Sequence, residues 1–339
     1  MKAFNYKNMI IGLSILGIVL IFSLLYPLYG PEDFNKVMYL YDKKGNLIGV
    51  PPIPPSSHYL LGSDRNGADI LLMMIYGAKF TLLSAFGVTF IRVLIGGALG
   101  IIFSLWLKRL LPILKDFLLV FNLVPPIIIT LVLMLPVSTT YIEDSVYSIL
   151  FYQIIILIIM GVPSVLIMTS EIIDEMKGKS FIQSSYLMGG NHLHVLKTHL
   201  KPFLTSYGFL MAIQQLLNTL VLIMYLGAFQ VYLGGVSREE VRGLPILNSI
   251  SKEWAGLIGQ NYREFFMSPW VVLIPLTCYF LLIIIINMIK KEIEASLDIN
   301  SLGMTFKRRK KKKKKQNDAV SKNNIAIKSD FTFQKMSNN

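Results

Sequence analysis

Residues 183–202 read QSSYLMGGNHLHVLKTHLKP. Three histidines, two lysines, a Gly-Gly pair and a closing proline stand here between two long apolar segments. A polar link of this kind between lipid-length runs marks a chain that crosses a membrane repeatedly. The whole composition agrees. Of 339 residues, 53% are hydrophobic and only 16% charged, where a soluble domain carries about a quarter charged residues. Mean hydropathy is +0.56.

A bilayer core of about 30 Å takes roughly 20 apolar residues as helix. Six segments meet that length: Met9–Leu28, about Phe80–Leu107, about Ile113–Leu135, about Val146–Thr169, about Leu204–Leu233 and about Trp270–Ile289. The first follows Lys2 and Lys7 but is long and lacks a small-residue cleavage site, so it is expected to be an uncleaved anchor. The expectation is an all-α polytopic membrane protein of six transmembrane helices. Lysine and arginine in the short loops set its orientation. Lys108, Arg109 and Lys115 follow the second segment; Lys177, Lys179, Lys197 and Lys201 follow the fourth; Lys290 and Lys291 follow the sixth. The loop after the third, residues 138–145, has Glu143 and Asp144 and no basic residue. Both termini and the 183–202 stretch are therefore expected in the cytoplasm.

Two stretches are expected on the other side. Residues 30–60 contain YLYDKKGNLIGV, with a turn at Lys44-Gly45-Asn46 between two short alternating strands, and then PPIPP at 51–55. Residues 234–268 are polar and expected to be partly helical. The organisation read from the sequence is an anchor helix (1–29), an external loop with a hairpin (30–60), a transmembrane domain (61–298, with a cytoplasmic loop at 171–203) and a basic tail (299–339). That tail holds nine consecutive basic residues, Lys307–Lys315, which supply most of the net charge of +13. A juxtamembrane polybasic run reads as an anchor on anionic lipid or a topology signal before it reads as a nucleic-acid site.

Several chemistries find no residues to carry them. No G-x-x-x-x-G-K-[ST] phosphate loop occurs. His192, His194 and His199 have no acidic neighbour among them and do not converge on one helix face, so no metal site is read there. Neither H-E-x-x-H nor G-x-S-x-G occurs, nor a carboxylate pair within a span, and catalysis has no candidate. Cys278 is the single cysteine, which excludes an internal disulfide; it reads as a small buried hydrophobe. Polar side chains within the spans do stand out: Arg92, Gln214, Gln215 and Asn218, with Asn122, Gln153 and Asn287. Such groups face a bundle interior or a cavity. They line a pathway or bridge neighbouring helices.

The 183–202 stretch divides physically. Phe181–Met188 is long enough for two helical turns, and Gly189-Gly190 permits a positive-φ turn. Asn191 is an N-cap for a second helix, which Pro202 is expected to end. Leu193, Leu196 and Leu200 fall on one stripe of it; His194, Lys197 and Lys201 fall on another. The segment is similar to the "EAA" loop of ABC importer permeases. Gln183, Ser184 and Ser185 stand at the E-A-A positions, Gly189 at the glycine and Lys201-Pro202 at the late L-P. The acidic residue and both alanines of the pattern are replaced.

Two more stretches narrow the resemblance. LGSDRNGADILLMMIYGAKFTL (61–82) resembles the signature of peptide and nickel importer permeases, matching at Gly62, Asp64, Gly67, Asp69, Tyr76, Gly77 and Ala78. Trp254, Gly256, Pro269, Trp270, Pro275, Asn287 and Leu297-Asp298 match that family's C-terminal end, and the combination favours its C-type subunit. The resemblance implies a non-catalytic half of a translocation pathway, most readily for di- or oligopeptides. It implies a sister permease as heterodimer partner, two ATPase subunits that bind ATP and magnesium in place of this chain, and an extracytoplasmic binding protein. It implies a bacterial cell-membrane location and ATPase coupling through Gln183, Ser184, Ser185, Gly189, Gly190, Asn191, Leu193, Leu196 and Pro202. Nickel or a metal chelate as cargo, and a non-transporting scaffold or sensor with a relic loop, stay open at this point.

Overall fold

The computed structural model describes residues 7–41, 47–139, 146–241 and 244–295. Among them are α1 (Lys7–Tyr29), β1 (Leu40–Tyr41), β2 (Leu47–Gly49), α2 (Ile70–Leu105), α3 (Leu111–Leu123), α4 (Pro126–Thr139), α5 (Val146–Lys177) and α6 (Ser180–Leu187). Then come α7 (His192–Val195), a π-turn (Leu196–Leu200), α8 (Lys201–Ala228), β3 (Val236–Val241), β4 (Leu244–Ser249) and α9 (Trp254–Gln260). A 3-10 turn at Tyr262–Phe266 precedes the final helix α10, Trp270–Ala295. The chain is an all-α polytopic membrane protein with two small hairpins. Glu143 and Asp144 of the expected 138–145 loop, the expected turn at Lys44-Gly45-Asn46 and the basic tail lie outside the described residues.

Among the described residues, five helical stretches are long and apolar enough to cross a membrane: Met9–Tyr29, Ile70–Leu105, Val146–Lys177, His192–Ala228 and Trp270–Ala295. The third expected span is not one helix. Val124, which precedes Pro125-Pro126, is extended (φ −94°, ψ 125°), because the proline ring drives its predecessor out of the α region. The run therefore divides into α3 and α4, of 13 and 14 residues.

The 36 residues of α2 span about 54 Å as helix, more than a bilayer core. Its first turn is fixed by Asp69, whose carboxylate accepts from the Leu71 N–H at 2.8 Å, the usual N-cap bond. Its most extensive partner is α5. A Cβ on Gly96 would lie 2.6 Å from Val165 Cβ, and one on Gly100 would lie 2.6 Å from Thr169 Cβ. Small residues one turn apart thus let the two backbones close together, the device that membrane helices use in place of a hydrophobic drive.

A second departure concerns Pro202, expected to end the helix begun at Asn191. Helix runs on from His192 to Ala228. The Lys201 N–H reaches back five residues to the Leu196 carbonyl, which is π geometry. Pro202 then sits in the first turn of α8, where its missing donor leaves no gap. The stretch 234–268 is partly helical, as expected, through α9. It also holds a hairpin of two six-residue antiparallel strands, in which Val236 pairs with Ser249 and Val241 with Leu244.

Candidate functional site

The hook formed by α6, the Gly189-Gly190 turn and α7 is built on a small core of its own. Ile182, Val195 and Leu200 are fully buried against Leu105 at the end of α2 and Ile173 and Met176 near the end of α5. The turn closes through the Gly189 N–H to the Tyr186 carbonyl (3.0 Å) and the Gly190 N–H to the Ser185 carbonyl (2.9 Å). Gly189 has φ +89°, a conformation that a residue with Cβ adopts only at a cost. Asn191 caps α7 by accepting from the His194 N–H at 2.7 Å. Of the expected apolar stripe, Leu200 is buried, Leu196 is half-buried and Leu193 is 47% exposed. The inward face is instead Ile182, Val195 and Leu200, since the π-turn rotates the residues after Val195 away from ordinary helical spacing.

The outward face combines Gln183 and Ser184 with three large apolar side chains. Leu187 is 88% exposed, Met188 82% and Leu193 47%. Ser185, by contrast, is buried, and a Cβ on Gly190 would meet its carbonyl at 2.8 Å. Pro202 is exposed at the root of α8. The residues expected to act together therefore separate into a brace that shapes the turn (Ser185, Gly189, Gly190, Asn191), of which Ser185 is buried, and an exposed tip. The histidines remain surface groups: the His192 Nδ1 lies 3.1 Å from the Tyr186 hydroxyl, and no metal-binding cluster occurs among the described residues.

The six residues of the 62–77 signature build the opposite end of α2. Asp64 is 1% exposed, and its Oδ1 accepts from the Asn66 and Ala68 N–H groups, both at 2.9 Å. Burial raises its carboxyl pKa, while those two bonds and the Lys252 ammonium oppose the rise. Gly67 has φ +82°, and a Cβ there would lie 2.1 Å from the Val37 carbonyl. Gly62 (φ +79°) similarly passes the Ile53 carbonyl. Tyr76 stacks edge-on with Tyr26 and Phe34 at 5.6 and 5.4 Å. Gly77 lets the Lys252 carbonyl approach, since a Cβ would sit 1.8 Å from it. These residues tie the hairpin segments to the helices; none of them lines the cavity within the bundle.

Next to Gly77 lies a group that sequence reasoning missed. Glu253 is completely buried and caps α9, accepting from the Ala255 N–H at 2.8 Å. Burial pushes its carboxyl pKa from the usual 4.5 up to about 7, with backbone N–H groups pulling it back only in part. An acid directly before the apolar run WAGLIG was the available signal.

Between α2, α4, α5 and α8 lies a cavity of about 390 Å³ whose wall includes Arg92, Gln215, Asn218, Ser164, Pro126 and Tyr225. Arg92 is 2% exposed. Its Nε donates to the Leu157 carbonyl at 2.9 Å, its Nη2 to the same oxygen, and its Nη1 to the Thr219 hydroxyl at 2.7 Å. Gly161 makes this possible, since a Cβ there would lie 2.1 Å from Arg92 Nε. Arg92 is thus both a bridge across three helices and part of a cavity wall. Gln215 donates to the Ser164 hydroxyl at 3.3 Å. Gln214 does not line the cavity; it donates to Asn218 Oδ1 at 3.1 Å and accepts from the Lys290 ammonium. Gln153 lies elsewhere too, holding the Gly234 N–H at 2.8 Å and the Tyr232 carbonyl at 2.9 Å.

No protein-family model matches the chain. Among curated proteins, it is 25% identical to the peptide transport system permease protein SapC of Haemophilus influenzae, over 75% of this chain and 80% of that protein. It is 22% identical to the oligopeptide transport system permease protein OppC of the same organism, over 88% of this chain and 86% of the relative. With the oligopeptide transport system permease protein AmiD of Streptococcus pneumoniae it shares 28% identity over 38% of this chain and 39% of the other. A predominantly helical integral membrane protein, this chain is similar along most of its length to the permeases of ABC peptide transport systems.

Proposed function

We propose that this chain is the transmembrane permease subunit of an ATP-driven peptide importer, coupled to ATPase subunits through the hook at 181–202. The observation that carries the coupling is the division of the hook into a braced inner face and an exposed apolar tip. Leu187, Met188 and Leu193 are too exposed to stabilise the chain alone, and three such side chains on a rigid turn suit a groove on a partner protein. The relatives named above carry peptide substrates in their names, which favours peptides over nickel or a chelate. The cavity walled by Arg92, Gln215 and Asn218 is this subunit's half of the pathway, and a sister permease supplies the other half. An extracytoplasmic binding protein docks on the hairpin side, and both termini lie in the cytoplasm. ATP hydrolysis takes place on the partner ATPases, so this chain needs no catalytic residue.

The test is to replace the tip without touching the brace. L187D/M188D in the assembled complex should leave membrane insertion and the melting temperature of the permease unchanged. It should lower transport and transport-linked ATP hydrolysis at least about tenfold, since two exposed anchors at about 1 kcal/mol or more each exceed the roughly 1.4 kcal/mol of a tenfold change. Full transport by this variant sinks the coupling role.

A further inference from the structure

The elbow between α2 and α3 and the hook together wall a recess of about 720 Å³ that the coupling reading does not use. Lys108 and Arg109 come from the elbow, Lys177 from the end of α5, and His192 and Tyr186 from the hook. No carboxylate lines it. Asp174 lies nearby, 3.7 Å from both Lys177 and Lys115. Lys177 is further engaged by the Ser104 carbonyl at the end of α2. Lys108 and Arg109 are exposed and make no ion pair among the described residues. The recess therefore holds more positive charge than the neighbouring Asp174 neutralises.

Its rim is apolar. Trp106 is 49% exposed, Leu107 40% and Leu110 51%, and along α3 Ile113 is 68% and Phe117 61% exposed. A cationic floor beside an apolar rim, with a tryptophan at the junction, is the pairing that a phosphate group and its acyl chains require. Trp106 also meets the His192 ring edge-on at 6.3 Å, so the same rim touches the hook. We propose that this recess binds a phosphate-bearing anion, supplied in the membrane by the headgroup of an acidic phospholipid, held by Lys108 and Arg109 with Trp106 against its glycerol–acyl region. The inference is independent of ATPase coupling and of the basic tail. It places a lipid contact on the hook itself, through His192 and Tyr186.

The experiment uses the full chain in phosphatidylcholine nanodiscs, reading tryptophan fluorescence against a Trp106→Phe control that isolates the Trp106 signal. Brominated phosphatidylglycerol at a given mole fraction should quench that signal about threefold more than brominated phosphatidylcholine at the same fraction. In K108Q/R109Q, whose tail is intact, the two lipids should quench equally. Inorganic phosphate at millimolar concentration in the buffer should leave the preference unchanged. If phosphate abolishes it, the anion site stands and its ligand is an aqueous phosphate. Equal quenching by the two lipids in the unmodified chain overturns the site, as does a preference that survives K108Q/R109Q.

Discussion

Replacing Glu253 by glutamine should make the protein more stable in alkaline buffer and remove most of its pH dependence near neutrality. The carboxyl is wholly buried, and its pKa is raised from 4.5 to about 7. An acid raised in the folded state favours folding most when protonated. Its contribution is complete below the unfolded value, and it is lost as pH climbs through about 7. The 2.5-unit rise corresponds to about 3 kcal/mol at 1.36 kcal/mol per unit. Glutamine retains an oxygen for the Ala255 N–H and has nothing to ionise. Detergent-solubilised full chain should be melted at one scan rate between pH 5 and 8.5, by intrinsic fluorescence. The adjacent Trp254, which donates to the Met74 carbonyl at 2.8 Å, reports on the docking of α9 against α2. The unmodified chain should lose several degrees across that range, while E253Q stays nearly flat and melts higher at pH 8. The histidines and other titrating groups are common to both proteins, so the difference isolates position 253. Parallel curves for the two proteins would refute a buried, proton-holding Glu253.

Gly67→Ala should destabilise the chain by at least about 1–3 kcal/mol, from positive φ alone, and more from the clash with the Val37 carbonyl; a lower melting temperature and reduced membrane yield measure it. Gly161→Ala would put a methyl where the Arg92 guanidinium lies, so it should alter transport of an anionic peptide more than that of a cationic one, as read in proteoliposomes. Asn191→Ala removes the cap on α7 and should weaken the hook by about 1 kcal/mol, visible as faster amide exchange at 191–196 while exchange in α2 is unchanged.

The membrane-spanning character was legible because apolar run length is a strong signal, and five of the six expected spans fall largely within long apolar helices of the described residues. The third failed for a local reason that the sequence also contains. Pro125-Pro126 outweighs the apolar run around it, so hydropathy alone overstated one helix. Pro202 was misread in the opposite direction. A proline ends a helix only if the preceding turn is ordinary α, and the extra residue in the Leu196–Leu200 turn removes the conflict. The β3–β4 hairpin has polar residues on successive positions (SREE), so its period-2 signal is faint. Signature residues in 62–77 stood out as a family pattern, but their work is geometric: Gly67 and Gly77 admit backbone carbonyls, and Asp64 satisfies two N–H groups. The cavity wall was only partly foreseeable. Gln214 and Gln215 are equally polar neighbours, and only helix phase decides that Gln215 faces Ser164.

The helix that runs unbroken from His192 to Ala228 has a mechanical consequence. Asn191, in the hook, and Asn218, on the cavity wall, lie on one rod roughly 40 Å apart at 1.5 Å per residue. A tilt of about 10° imposed at one end displaces the other by about 7 Å over that length. The π-turn at Leu196–Leu200 interrupts the regular hydrogen-bond pattern of that rod, so any displacement passed between the hook and the cavity wall must cross it.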